Sequence, residues 1–136
     1  QLIVSIYMIK RRIYDTIVVN RQSLHTLFDT GAQNSYITRD AVNRAGLSPI
    51  KLKKPFPMGL GGEARLLKEQ TIIDGTLERN YFTITAFIVD GLGVTHDGKT
   101  IDMLFGLAAM EVWGVDLDIK NKRVDLSRFA KEFIEY

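Results

Sequence analysis

The sequence predicts a mainly β domain, folded as a barrel or a sandwich and carrying one or two short helices. Three observations lead there. Short runs rich in Ile, Val, Tyr and Thr follow one another, each bounded by turn residues. Hairpin signals such as Asp74-Gly75 fall between such runs. Helical spacing is confined to a few short stretches.

Taken in order, residues 2–9 and Ile13–Val19 read as strands because Ile, Val and Tyr dominate them. Asn20-Arg21-Gln22 reads as the turn of a hairpin into residues 24–28, and Tyr36-Ile37 as a brief extended piece. Residues 38–45 read as a helix with Thr38 as N-cap and Gly46 as its stop. Residues 48–57 hold Pro49, Pro55 and Pro57 and are expected as a loop. Three glycines among residues 59–62 mark a mobile hairpin tip. Strand character resumes over residues 66–73 and 76–89, with Asp74-Gly75 expected as the turn between them. Residues 91–100 form a polar surface loop, and residues 101–105 an apolar run that stops at Gly106. Leu107–Trp113 suits a turn or two of helix, since Leu107, Met110 and Trp113 recur every third residue. Residues 115–119 and 123–126 form a closing hairpin around Lys120-Asn121-Lys122, and Phe129 and Phe133 suggest an amphipathic helix over residues 127–136.

Composition narrows the function. With 136 residues, 46% hydrophobic and 25% charged, the chain suits a single domain with a real core, taken as residues 1–136. A net charge of +2 gives no case for nucleic acid, and Lys51, Lys53 and Lys54 read as a solvated loop. Cysteine is absent, and His25 and His96 lack metal-ligand spacing, so no metal or cofactor is expected. No apolar run reaches the roughly 18 residues that span a bilayer. The chain opens on Gln1 rather than methionine and is read as a fragment or a processed product. The compartment is accordingly read as cytoplasmic or left open.

The chemistry centres on Leu27-Phe28-Asp29-Thr30-Gly31-Ala32. A strand delivers a carboxylate onto a tight turn, where a lone charge is costly unless paired, hydrogen-bonded or held for reaction. Thr30 is suited to bond backbone groups and lock the turn. Gly31 permits either positive φ or close approach of backbone. Asp102, Asp116 and Asp118 are read as exposed or turn-supporting acids, and His25 as facing solvent from its strand. The Tyr14, Tyr36 and Tyr81 hydroxyls are read as polar tips at the edge of the core.

Val18-Val19-Asn20, the Asp29 segment and Ser35-Tyr36-Ile37 together resemble the catalytic segment of retropepsin-like aspartic proteases. Gly59-Leu60-Gly61-Gly62 resembles that family's flap tip. Asp102-Met103-Leu104-Phe105-Gly106 resembles its second signature, and Trp113-Gly114-Val115-Asp116-Leu117 with Arg123-Val124-Asp125-Leu126 its closing hairpin. The signatures occur in the family's order and cover about residues 13–126.

The resemblance implies a closed acid-protease-type β-barrel lobe, one per chain. It implies an aspartic endopeptidase in which two aspartates from two lobes share one proton, since like charges at close range cannot both ionise. One carboxylate activates a water and the other polarises the scissile amide. This chain has one such aspartate, so a homodimer with Asp29 from each subunit is required. Carried over by position, Asp29, Thr30 and Gly31 form the catalytic turn, with Thr30 bonding across the dimer axis. Ala32, Met58, Gly59, Leu60, Gly61, Gly62 and Leu104 would contact a peptide or protein substrate.

The sequence departs from the family in places. Gln33 stands where retroviral members often carry an acid, and Phe105 where an aliphatic residue is usual. The helix at residues 38–45 and the loop at 91–100 are more similar to cellular and prokaryotic members. The family's terminal interface strands are not recognisable in residues 1–9 or 129–136. A non-catalytic peptide-binding or dimerisation module on the same fold is the alternative.

Overall fold

A computed structural model describes residues 12–130. The strand expected at residues 2–9, and the last part of the helix expected at 127–136, fall outside those residues. Among the described residues nine strands and two helices follow in the order β1 (Ile13–Val19), β2 (Gln22–Asp29), β3 (Tyr36–Thr38), α1 (Arg39–Arg44), β4 (Ile50–Leu60), β5 (Glu63–Leu77), β6 (Asn80–Val89), β7 (Met103–Gly106), α2 (Leu107–Trp113), β8 (Asp116–Asp118) and β9 (Arg123–Asp125).

Seven strands form one sheet in the order β1-β2-β7-β3-β6-β5-β4. β1 also pairs with β5 through Ile17↔Leu77 and Val18↔Thr76, so the strand path turns back on itself. β8 and β9 make a separate two-stranded sheet. The mainly β class expected from the sequence is the class observed.

Local chemistry explains most element boundaries. Asn20 and Arg21 both take positive φ, giving the tight two-residue turn that sets Val19 opposite Gln22. Thr38 caps α1, its Oγ1 accepting the Ala41 N–H at 3.1 Å, and Gly46 leaves the helix at φ +66°. α2 ends on Gly114 in the left-handed region, where its N–H donates to the Met110 carbonyl.

Two expected turns move. Residues 48–57, expected as a loop, contain the start of β4. That strand lies at the edge of the sheet, where a proline's missing donor costs least, and its register shifts between Lys51 and Phe56, around Pro55. Asp74-Gly75, expected as a turn, lies inside β5. The chain reverses instead at Glu78 and Arg79, both with positive φ. Gly75 answers a packing demand: a Cβ there would meet Phe82 Cζ at 3.0 Å, Ile17 Cγ2 at 3.2 Å and the Val18 carbonyl at 3.3 Å.

Two apolar clusters form. The larger joins Ile17, Leu24, Phe28, Ile37, Phe82, Phe105 and the helices, with Trp113 stacked on Phe129 at 5.8 Å. The smaller joins Leu27, Tyr36, Leu60, Leu67, Val89, Ile101 and Leu104. β2 serves both, its alternation sending Leu24 and Phe28 to the first and Leu27 to the second.

Candidate active site

β2 carries Leu27 and Asp29 on one face, so the carboxylate stands on the side of the smaller apolar cluster. The backbone then turns sharply: the Gly31 N–H donates to Asp29 Oδ1 at 2.8 Å, and the Ala32 N–H to the Asp29 carbonyl at 3.3 Å. Gly31 is needed for closeness rather than for positive φ. A Cβ at this position would lie 3.1 Å from Asp29 Oδ1. Asp29 is half-buried, while Thr30 and Gly31 are exposed at the surface of the single chain.

β7 fixes this turn from beside it. It runs parallel to β2, with Asp29 level with Gly106, and antiparallel to β3, with Tyr36 opposite Leu104. Residues 30–35 therefore leave one neighbour of β7 and return as the other. The loop is stitched down by Leu107 N–H to the Ala32 carbonyl at 2.7 Å and Ala108 N–H to the Gln33 carbonyl at 3.0 Å. Ser35 Oγ accepts the Gly106 N–H at 3.0 Å. Gly106 has no room for a side chain, since a Cβ would fall 2.1 Å from the Asn34 carbonyl oxygen.

The other residues singled out in the sequence divide into two groups. Ala32, Met58, Leu60 and Leu104 meet in the smaller cluster, so the β4–β5 hairpin lays Leu60 over the apolar floor next to the Asp29 turn. Gly59, Gly61 and Gly62 stand away from it, exposed, with nothing within 4 Å of an added Cβ. Gly61 and Gly62 supply the positive-φ turn of that hairpin, at +60° and +82°.

Several supporting residues escaped sequence reasoning. Asp102 is buried rather than exposed: it accepts the His25 N–H at 2.9 Å and an Arg44 Nη2–H, and its own N–H donates to the His25 carbonyl at 2.9 Å. Hydrogen bonding to Asp40, helped by Asp102, raises the Arg44 guanidinium above its ordinary value despite some burial. His25 does not simply face solvent. It is half-buried and stacked on Tyr14 at 5.0 Å, and Tyr14 Oη and His25 Nε2 are both buried without a hydrogen-bond partner among the described residues. Among the described residues no three His, Cys, Asp or Glu side chains gather where they could hold a metal ion. No helix among them is long and apolar enough to cross a membrane.

This architecture is the fold of the retropepsin-like aspartic proteases. The retroviral protease-like domain of Ddi1 from Leishmania major matches with a TM-score of 0.60 at 14% identity, over 87% of this chain and 86% of that one. EIAV protease, solved with an inhibitor bound, matches with a TM-score of 0.53 at 18% identity, over 79% of this chain and 92% of that one. No family model and no curated protein matches the sequence. At such identities the likeness is one of fold.

Proposed function

We propose that the chain is a homodimeric aspartic endopeptidase in which Asp29 from each of two subunits activates one water. The observation that carries this reading is the Asp29 turn itself. The carboxylate ends β2, is oriented by the Gly31 N–H, and borders an apolar floor of Leu27, Ala32 and Leu104 beneath Leu60. Thr30 and Gly31 are exposed beside it, as a contact with a second copy of the same turn requires.

In the proposed dimer the two carboxylates share one proton. The ionised member takes a proton from the water as it attacks the peptide carbonyl, and the protonated member donates to the carbonyl oxygen. The resulting gem-diol then collapses, its C–N bond breaking as the first carboxyl passes its proton to the leaving amine nitrogen and a hydroxyl proton returns to the second. Thr30 pairs with the partner subunit's turn. Met58, Gly59, Leu60, Gly61 and Gly62 cover an extended peptide, with Leu60 and Leu104 giving it an apolar subsite and the exposed glycines letting the hairpin lift.

The test is cleavage of a peptide library from acidic to neutral pH by wild type and Asp29→Asn, with sedimentation run alongside. Cleavage by a dimer, lost in the Asn variant with its fold intact, is the expected result. Equal cleavage by the variant would sink the assignment. A folded, inactive monomer at micromolar concentration would favour a non-catalytic peptide-binding or dimerisation module on the same fold.

A further inference from the structure

β5 is longer than β4 and β6, which flank it. Its second half, from Gln70 to Leu77, pairs with β6, and its first half pairs with β4 alone. On the other side β6 continues to Val89, where it pairs with β3. Beyond the Gln70↔Phe87 rung the two strands part, and among the described residues nothing pairs with the facing edges of residues 63–69 and 88–89. Between them opens a cavity of about 750 Å³.

Both ends of this fork are held by arginines. Arg39, at the start of α1, forms an ion pair with Glu69 near the root. Arg65 reaches across the mouth and donates through Nη1 to the Gly91 carbonyl. Arg65 shares a strand face with the buried Leu67, so its stem is drawn inward, and its Nε is buried without an acceptor among the described residues. Glu63 is its nearest acid, at 3.8 Å and largely exposed. Lys68 lines the same cavity, exposed and without an ion-pair partner among the described residues, and so does the exposed acid Asp90.

Charges on an open strand edge commonly serve to repel other strands. A guarding charge works from solvent, whereas Arg65 is folded inward with one donor unsatisfied, an arrangement that costs stability until an acceptor arrives. A carboxylate supplies that acceptor with matching charge and planar geometry. The unpaired edge of β5 in turn suits an extended chain, which takes its affinity from main-chain hydrogen bonds.

We propose that the fork between β5 and β6 is a docking site for an extended peptide, with an acidic side chain of that peptide received by Arg65. The site shares no lining residue with the Asp29 turn, while its β5 side, Glu63–Arg65, is the returning strand of the hairpin assigned above to cover substrate.

The probe is a fluorescein-labelled nonapeptide alternating valine and threonine around a central glutamate. Its anisotropy is followed with the full chain, and amide shifts map where it sits. Wild type and Asp29→Asn are expected to bind it equally, with shifts over residues 63–69 and 88–91. Replacing the central glutamate by glutamine, or Arg65→Met in the protein, is expected to weaken binding about tenfold. N-methylation of alternate peptide residues is expected to abolish it. Should Arg65→Met fail to fold, the two altered peptides and the shift map decide by themselves. No binding at millimolar peptide, equal binding of the glutamine peptide, or shifts centred on residues 29–32 would overturn the proposal.

Discussion

Asp29 and Gly106 occupy the same rung of the parallel strands β2 and β7. The glycine bears on the carboxylate through the loop that follows it. Gly106 lets the returning loop pass with the Asn34 and Ala32 carbonyls pressed against its α-carbon. The position of the acid thus depends on a missing side chain some eighty residues away.

Gly106→Ala is expected to be the most damaging single substitution in the site. The added carbon would fall 2.1 Å from one backbone carbonyl oxygen and 2.9 Å from another, and neither can rotate away. We expect a loss of about 3 kcal/mol in urea unfolding, at the upper end for overpacking.

Gly31→Ala is expected to separate activity from stability. Its φ is not in the left-handed region, and its Cβ would press only on Asp29 Oδ1, at 3.1 Å. Unfolding should change by less than about 1 kcal/mol. Under the proposed chemistry, displacement of the carboxylate by a few tenths of an ångström should lower kcat about tenfold or more. Paired urea titrations and peptide-cleavage rates check both halves.

Arg44→Met should destabilise the far end of β2. Asp102 would retain the His25 N–H but lose its cationic partner while remaining buried. We expect a cost of about 2 kcal/mol, because a buried acceptor stripped of a charged donor pays most of its desolvation. Arg44→Lys, which keeps the charge but not the fork that also holds Asp40, should recover part of it. Urea midpoints at neutral pH measure both.

The Asp116–Arg128 pair gives a pH signature. Arg128 donates to both Asp116 oxygens, at 2.8 and 2.7 Å, and this holds the carboxyl below its ordinary value. A lowered carboxyl stabilises the fold above the unfolded value of 3.8 and loses that contribution as pH falls through the lower folded value. The pair is exposed, so its contribution is small and falls with salt. In Arg128→Gln, the Asp116 carboxyl carbon should titrate at higher pH by NMR. The difference in urea midpoint should vanish in strong acid.

Legibility in the sequence followed the range of the forces involved. The β1–β2 turn, the Thr38 cap, the 107–113 helix and the Asp29-Thr30-Gly31 turn are set by neighbours a few residues away, and all of them read correctly as local structure. Gly75 did not, because its reason is Phe82 and Ile17 on two other strands. A glycine beside an aspartate looks like a turn until its packing partners are known. The prolines of β4 misled for a related cause: they break strands in general and are tolerated on an edge, and edge position is a property of the whole sheet. Within the site, Asp29 and the apolar residues around it were named from the sequence. The Arg44–Asp102 and Arg65–Gly91 contacts bridge 58 and 26 residues and left no local pattern.

The seat of β7 between β2 and β3 also has a bearing on how the chain is made. The strand that separates the two sides of the Asp29 turn is supplied late, with Asp102 reaching back 77 residues to His25. Until that stretch leaves the ribosome, β2 and β3 each present a bare edge. Contacts of such long range make for slow folding and leave nascent chains open to wrong pairings. A chain cut short before Met103 would carry Asp29-Thr30-Gly31 without the strand beside it and without the Leu107 and Ala108 N–H bonds that pin the following loop.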